Sequence, residues 1–301
     1  LTADEESGMV SAKHFATVLK EDVNIEYGIN ADALSGILAP NGSVFGYYVQ
    51  GAEKSYRSVL LTVRNPGGHS SAPRPDNAIY QLARALIKVE QHKFPVMIND
   101  ISAGMMRSAA ARSDTQTADA IADLIDDPSN VAAEKIVSRN PLLATVIRTT
   151  CVATMLEAGH AENALPQSAS ATVNCRIMPG VDPASVYSAL AMAIDDEGVE
   201  LQPIQKESTI APASPMREDI MAAISESIEE YADVELVPFM ASYGTDGKEF
   251  RSVGIPVYGS SGTFMDPREA YAHGLNERLP VKTFYASLGY WERLIKQLAN
   301  R

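Results

Sequence analysis

A chain of 301 residues is long enough to bury one large core or two ordinary ones, and its 46% hydrophobic and 21% charged residues are the composition of a globular protein. A net charge of −13 excludes a surface built for nucleic acid, because binding phosphates needs clustered Lys and Arg. No apolar stretch approaches the length that crosses a bilayer, so neither a nucleic acid nor a membrane is an expected partner.

In chain order, the acidic triplet Asp4-Glu5-Glu6 is followed by "SGMVSAKHFATVLK", whose apolar spacing predicts a helix. "NIEYGINAD" reads as a short buried strand ending at Asp32, and "PNGSVFGYYVQGAEK" as an Asn-Gly turn leading into a strand. "SYRSVLLTVRN" alternates as a strand does, and "PGGHSSAPRPD" is a Gly/Pro/Ser loop before the amphipathic helix "NAIYQLARALIKVEQ". Residues 93–146 are Ala-rich and helical in pattern, broken at "DDPSN". Strands return in "TVIRTTCVATML" and "SASATVNCRIM", then come the helix "PASVYSALAMAIDDE" and the strand "VELQPIQ". From residue 55 to 206 the order is strand, helix, strand, strand, helix, strand, the ferredoxin-like pattern. After a Pro-rich linker, a helix, short strands and a long helix from about Pro280 complete an α/β arrangement. The expected plan is therefore an α/β domain made of both chain ends, 1–54 and 213–301, with a smaller α+β domain inserted at 55–212. That smaller domain carries the helical insertion of about 93–146.

Cys151 and Cys175 are too few for a zinc ribbon or a disulfide framework. Both fall in strand-like stretches, so buried free thiols are the first expectation and a single disulfide between neighbouring strands is the other. The compartment stays open between cytoplasmic and, if a signal peptide was lost with the N-terminus, periplasmic or secreted.

Each candidate functional residue has an ordinary reading beside the chemical one. Three adjacent acids suit a solvated turn, but a hydrolytic zinc site also needs carboxylate or His ligands and a separate base for water. Asp32 could cap a helix or shape a turn. His69 in "GGHSS" could be a turn histidine, His273 in "YAHGLNERLP" a solvated loop histidine, and Arg176 an exposed strand arginine. His14, His92 and His160 keep the ordinary reading.

Taken together and in order, "TADEESGM", "NPGGHSSAP", "GHAENALPQSASATVNCRIMPG" and "YAHGLNERLP" resemble the dizinc exopeptidases and amidohydrolases that include glutamate carboxypeptidase, aminoacylase and succinyl-diaminopimelate desuccinylase. The resemblance runs from residue 1 to near the C-terminus. It implies a zinc-exopeptidase-like α/β catalytic domain with an inserted ferredoxin-like lid that dimerises. It implies Glu5 as general base, and Glu6, Asp32 and His273 as zinc ligands. His69 would stabilise an oxyanion in the partner's site, while Asn163 and Arg176 would contact the substrate's backbone or carboxylate. Asp4 would support the turn, Asn276 and Glu277 would organise the loop of His273, and "GTDG" (Gly244 to Gly247) would lie close to the site. Where relatives follow the acid at Asp32 with glycines, this chain has Ala33, Leu34 and Ser35.

The implied function is zinc-dependent amide hydrolysis of a peptide or N-acyl amino acid with a free carboxylate. The family's dizinc centre also uses a His-x-Asp motif and a bridging aspartate upstream of the acidic pair, and no His-x-Asp occurs in these 301 residues. The sequence therefore reads as the C-terminal part of a longer, N-terminally incomplete catalytic domain. The alternatives are a non-catalytic dimerising fragment or pseudoenzyme, and a single-zinc hydrolase using Glu6, Asp32 and His273 alone.

Overall fold

A computed structural model describes residues 4–5, 8–205 and 209–300. Its contacts divide the chain into two compact units, one of residues 1–53, 98–146 and 211–301 and the other of residues 54–97 and 147–210.

In the first unit the chain enters α1 (Val10–Asp22), β1 (Gly28–Asn30) and the hairpin of β2 (Gly36–Leu38) and β3 (Val44–Glu53). It returns through α3 (Asp100–Ala110), α4 (Thr115–Asp126), α5 (Val131–Val137) and α6 (Pro141–Val146). It ends with α8 (Glu218–Ile228), β10 (Leu236–Ala241), α9 (Gly247–Ser252), β11 (Val257–Gly259), β12 (Phe264–Met265) and α10 (Val281–Ala299). The ten-residue β3 organises a mixed sheet: it runs parallel to β10 and antiparallel to β2 and β11, while β1 runs parallel to β11. Tyr47 and Val49 of β3 bury against Ile220, Ile224 and Ile228 of α8 and Tyr290 and Leu294 of α10. Their i, i+4 spacing on both helices is what lets two helices share one core.

Two expectations about this unit need correcting. The segment "NIEYGINAD" yields only a three-residue strand, half-buried throughout, which stops before Asp32. The helical insertion, expected within the lid, groups from residue 98 onward with this first unit. The reason is local: Gly104 of α3 lets the helix lie directly on β10, where a Cβ would come within 2.8 Å of the Pro238 ring.

The second unit holds β4 (Ser55–Arg64), β5 (Gly68–His69), α2 (Ala78–Gln91), β6 (Thr150–Ala158), β7 (Ala164–Leu165), β8 (Ser168–Ile177), α7 (Pro183–Ile194) and β9 (Val199–Pro203). Its main sheet is antiparallel in the order β6-β8-β4-β9. Counting only the four strands of that sheet in chain order, this is second, third, first, fourth, the ferredoxin-like arrangement. Strict alternation explains it: Val59, Leu61 and Val63 of β4 and Ala169, Ala171, Val173, Cys175 and Ile177 of β8 form one apolar face beneath α2 and α7. Asn77 caps α2 by accepting from the Ile79 and Tyr80 amides, and Asp182 caps α7 by accepting from Ala184. The cysteines are not free thiols. Cys151 of β6 and Cys175 of β8 are directly opposed across the ladder, with Cα atoms 4.1 Å apart, and form a disulfide.

Candidate active site

Asp4 and Glu5 lie just ahead of α1. Asp4 accepts from the backbone amides of Val10 (2.8 Å) and Ser11 (3.1 Å) and from the Ser11 hydroxyl. These bonds, the Ser11 hydroxyl foremost, hold its carboxyl below the ordinary carboxylate range. Asp4 thus satisfies amides at the helix entrance, the turn-supporting part expected of it. Glu5 follows, half-buried, and Glu6 lies outside the described residues.

Asp32 is exposed just beyond β1, where its amide donates to the Asn30 side chain at 3.0 Å. A cleft of about 500 Å3 in this unit has Asn30 on one wall and Asp246 and Gly247 on another, so the end of β1 and the "GTDG" loop border the same space. Tyr243, just before that loop, has its hydroxyl pushed up to about 12 by burial and then by the charges of Asp32 and Glu53. His273 sits in an exposed loop with φ +60°, and its amide donates to Glu277 at 3.2 Å. Among the described residues, no three His, Cys, Asp or Glu side chains gather as a metal-holding group. Asp32 and His273 therefore do not by themselves form a metal cage.

The "GTDG" loop is fixed from below by two residues that sequence reading left inside ordinary elements. Glu53, the last residue of β3, and Arg251 of α9 form an ion pair, and the two side chains are 1% and 2% exposed. Glu53 also accepts from the Thr245 amide and from its hydroxyl at 3.2 Å, and Arg251 donates to the Val257 carbonyl at 3.3 Å. Burial raises the Glu53 carboxyl and lowers Arg251, while their mutual attraction works against both shifts. The signal available in the sequence was a charged residue closing the otherwise uncharged strand "VFGYYVQGAE".

In the second unit, the loop read as structureless forms a two-residue ribbon. β5 pairs with β7, Gly68 opposite Leu165 and His69 opposite Ala164. Ser70 donates to the Asn163 carbonyl at 3.0 Å, so the ribbon sets His69 and Asn163 side by side on exposed backbone. The Ser71 amide donates to His69 Nδ1 at 3.2 Å, and the Ser71 hydroxyl lies 2.8 Å from it. An amide can only donate, so Nδ1 is an acceptor and the proton of the neutral ring sits on Nε2 as a donor. Gly67 is required here: at φ +72° an L side chain is strained, and its Cβ would approach Gln167 to 2.7 Å.

Arg176 lies apart from that ribbon, near the end of β8. Its guanidinium stacks 4.8 Å from the ring centre of Tyr56, its cross-strand partner. On the same corner Lys54 is 4% exposed and donates from Nζ to the Arg148 carbonyl at 2.6 Å. Burial, and then the Arg176 charge, lower its ammonium to about 8 from the usual 10.5. The unfolded chain thus binds a proton that the folded chain gives up between those values, so this group adds stability as pH rises from about 8 to 10.5. The gain expected is on the order of 3 kcal/mol. Denaturant titrations at pH 7.5 and 10 should show it in the wild type and not in Lys54→Met.

Comparison with known proteins sharpens the reading. A peptidase dimerisation domain of the M20 type matches residues 51–202. The fold is that of the M20 family metallo-carboxypeptidase Sso-CP2 from Sulfolobus solfataricus, with a TM-score of 0.68 at 18% identity, covering 98% of this chain and 68% of that one. Fold and lid together define an M20-type peptidase or amidohydrolase architecture. The chain belongs to the M20 family of dizinc peptidases and amidohydrolases. Among relatives, the N-fatty-acyl-amino acid synthase/hydrolase PM20D1 of Mus musculus is 26% identical over 247 residues, 77% of this chain and 47% of that protein. The probable carboxypeptidase S-like 2 of Dictyostelium discoideum is 26% identical over 251 residues, 81% of this chain and 47% of that protein. The chain thus spans about half the length of these curated relatives.

Proposed function

We propose that the complete protein is a zinc-dependent hydrolase of amide bonds in peptides or N-acyl amino acids that carry a free carboxylate. The observation that supports this best beyond family membership is the β5–β7 ribbon, which holds His69 and Asn163 together with the Nε2 proton of His69 available to an oxyanion. In this reading Glu5 serves as the base for water. Glu6, Asp32 and His273 supply metal ligands, whose chemistry is to polarise the carbonyl and acidify water. Asn163 and Arg176 hold the substrate, Arg176 by pairing with its carboxylate. The test is hydrolysis of N-acyl amino acids and dipeptides, with zinc per chain measured on the same sample. Cleavage abolished by a chelator and restored by zinc supports the reading. A zinc-free protein that cleaves neither class rejects it and leaves a dimerising module.

We further infer that the lid pairs with a second copy of itself. β6 is an edge strand whose Val152, Met155 and Leu156 are 57%, 70% and 67% exposed, and Ile79, Tyr80 and Ile87 of α2 are exposed as well. An unpaired edge carrying apolar side chains is unstable in isolation against association, and a matching edge satisfies it. Met155→Lys combined with Leu156→Lys is expected to turn a dimer into a monomer by light scattering, with an unchanged circular dichroism spectrum.

A further inference from the structure

We propose that the Cys151–Cys175 bridge is a redox site that governs assembly of the lid: closed, it holds β6 in place for pairing with a second copy, and a dithiol that opens it dissolves the pair. The inference rests on the reading above that β6 and α2 meet their counterparts in another copy. It starts from how little else anchors β6. No residue of this strand is buried, and every residue from Val152 to Ala158 is exposed. Its neighbour β8, by contrast, buries every second side chain along its length. Cys151 packs against the apolar face of the lid, of which Cys175 is a fully buried member. Beyond Cys151 the strand keeps its backbone ladder to β8, but that ladder shifts register between Ala153 and Met155. The bridge thus fixes β6 just ahead of an irregular stretch. Met155 and Leu156, two of the apolar side chains offered to the second copy, lie just after it.

Pairing two strand edges costs the freedom of both, and a strand that is already fixed loses less on association. A covalent tie to β8 fixes β6 beforehand, where the strand has no buried side chain to do so. Opening the tie returns that freedom to β6 and leaves the core built by β4, β8, α2 and α7 in place. The sulfur open to attack is that of Cys151, which lines a groove between α2 and β6 with Leu86, Ile87, Glu90 and Val152, whereas Cys175 is 0% exposed. A thiolate of the dithiol attacks Cys151 Sγ, the S–S bond breaks, and its electron pair leaves on Cys175, which takes up a proton. The second thiol, once deprotonated, attacks the mixed disulfide and releases Cys151, which is protonated in turn. Two electrons have then passed to the protein, and the dithiol has closed into its own disulfide. The groove is walled by the same helix and strand that carry the pairing surface, so a second copy seated there screens Cys151. By linkage, a bridge that tightens the dimer is itself stabilised by the dimer to the same factor.

The experiment follows the complete protein by analytical ultracentrifugation over a dilution series, before and after dithiothreitol, with free thiols counted on the same samples. Once both cysteines are reduced, the dimer dissociation constant is expected to rise about tenfold or more, and reoxidation with diamide to restore it. Thiols should appear faster in the dilute, monomeric samples than in the dimeric ones. Amide hydrogens of β6 should exchange faster after reduction, while those shared by β4 and β9 stay protected. Cys151→Ala combined with Cys175→Ala should show the weak constant of the reduced protein and no response to dithiothreitol, which separates the bridge from other effects of the reagent. An unchanged dissociation constant with both thiols free overturns the proposal. So does a bridge that stays closed in dithiothreitol at monomeric dilution, or a loss of circular dichroism on reduction, which would make the bridge part of the fold and not a control on it. A protein that is monomeric at every concentration in both states removes the pairing itself, and the inference falls with it.

Discussion

Glu5→Gln in the complete protein is expected to lower kcat by a factor of about 100 to 10,000, the range a general base supplies, with metal content per chain unchanged. Glutamine keeps the volume and one acceptor oxygen of the side chain but cannot take a proton from water. The neighbouring Asp4 cannot stand in, because its oxygens are occupied by the Val10 and Ser11 amides and the Ser11 hydroxyl. A low-lying, fully engaged carboxylate is a poor base at neutral pH. Asp4→Asn should accordingly weaken the start of α1 while retaining measurable turnover. Wild-type turnover in Glu5→Gln would remove Glu5 from the base position. Loss of metal in the same variant would instead make it a ligand.

Much of the lid was legible because its chemistry is local and periodic. "SYRSVLLTVR" and "SASATVNCRI" alternate without interruption, and such strands find one register because a one-residue slip would bury their polar face. The helix "AIYQLARALIKVEQ" carries its own cap at Asn77. Shorter elements escaped because their pairing comes from elsewhere in the chain. Gly36–Leu38 is a strand only because β3 and β12 flank it, and the His69 ribbon exists only through a partner almost a hundred residues on. The cysteine bridge is of the same kind, since nothing within either strand announces that positions 151 and 175 face each other. Among the described candidate residues, Asp32, His69, Asn163, Arg176 and His273 lie on loops, short strands and strand ends. Glu53, Arg251 and Lys54 were passed over because a buried charge in sequence looks like any other charge until its burial is seen.

Arg251→Met should be the most destabilising single replacement in the first unit, at about 3–5 kcal/mol, because it leaves the Glu53 carboxylate buried without its partner. The Thr245 amide and hydroxyl still reach Glu53, but neutral donors do not repay the desolvation of a full charge. Glu53 escapes by staying protonated, and this gives the variant a distinctive pH response. With the arginine gone, burial is opposed only by the Thr245 hydrogen bonds and the Lys248 charge, so the folded pKa of Glu53 lies further above the ordinary 4.5 than in the wild type. A group raised in the folded state stabilises below its unfolded pKa and loses that contribution as pH climbs through the folded value. The deficit of Arg251→Met against wild type should therefore be largest near pH 7 and shrink on acidification toward pH 4.5. Replacing both partners, as Glu53→Leu with Arg251→Met, should recover much of the stability at pH 7, since an apolar pair carries no desolvation debt. The double variant would still lack the anchor for Thr245, so its "GTDG" loop should exchange amide hydrogens faster than the wild type's even where the global stabilities match. Urea titrations of the three proteins at pH 5 and 7 decide the matter. A single variant within 1 kcal/mol of wild type at pH 7 would mean that Glu53 is already neutral in the native protein and that Thr245, not Arg251, holds it.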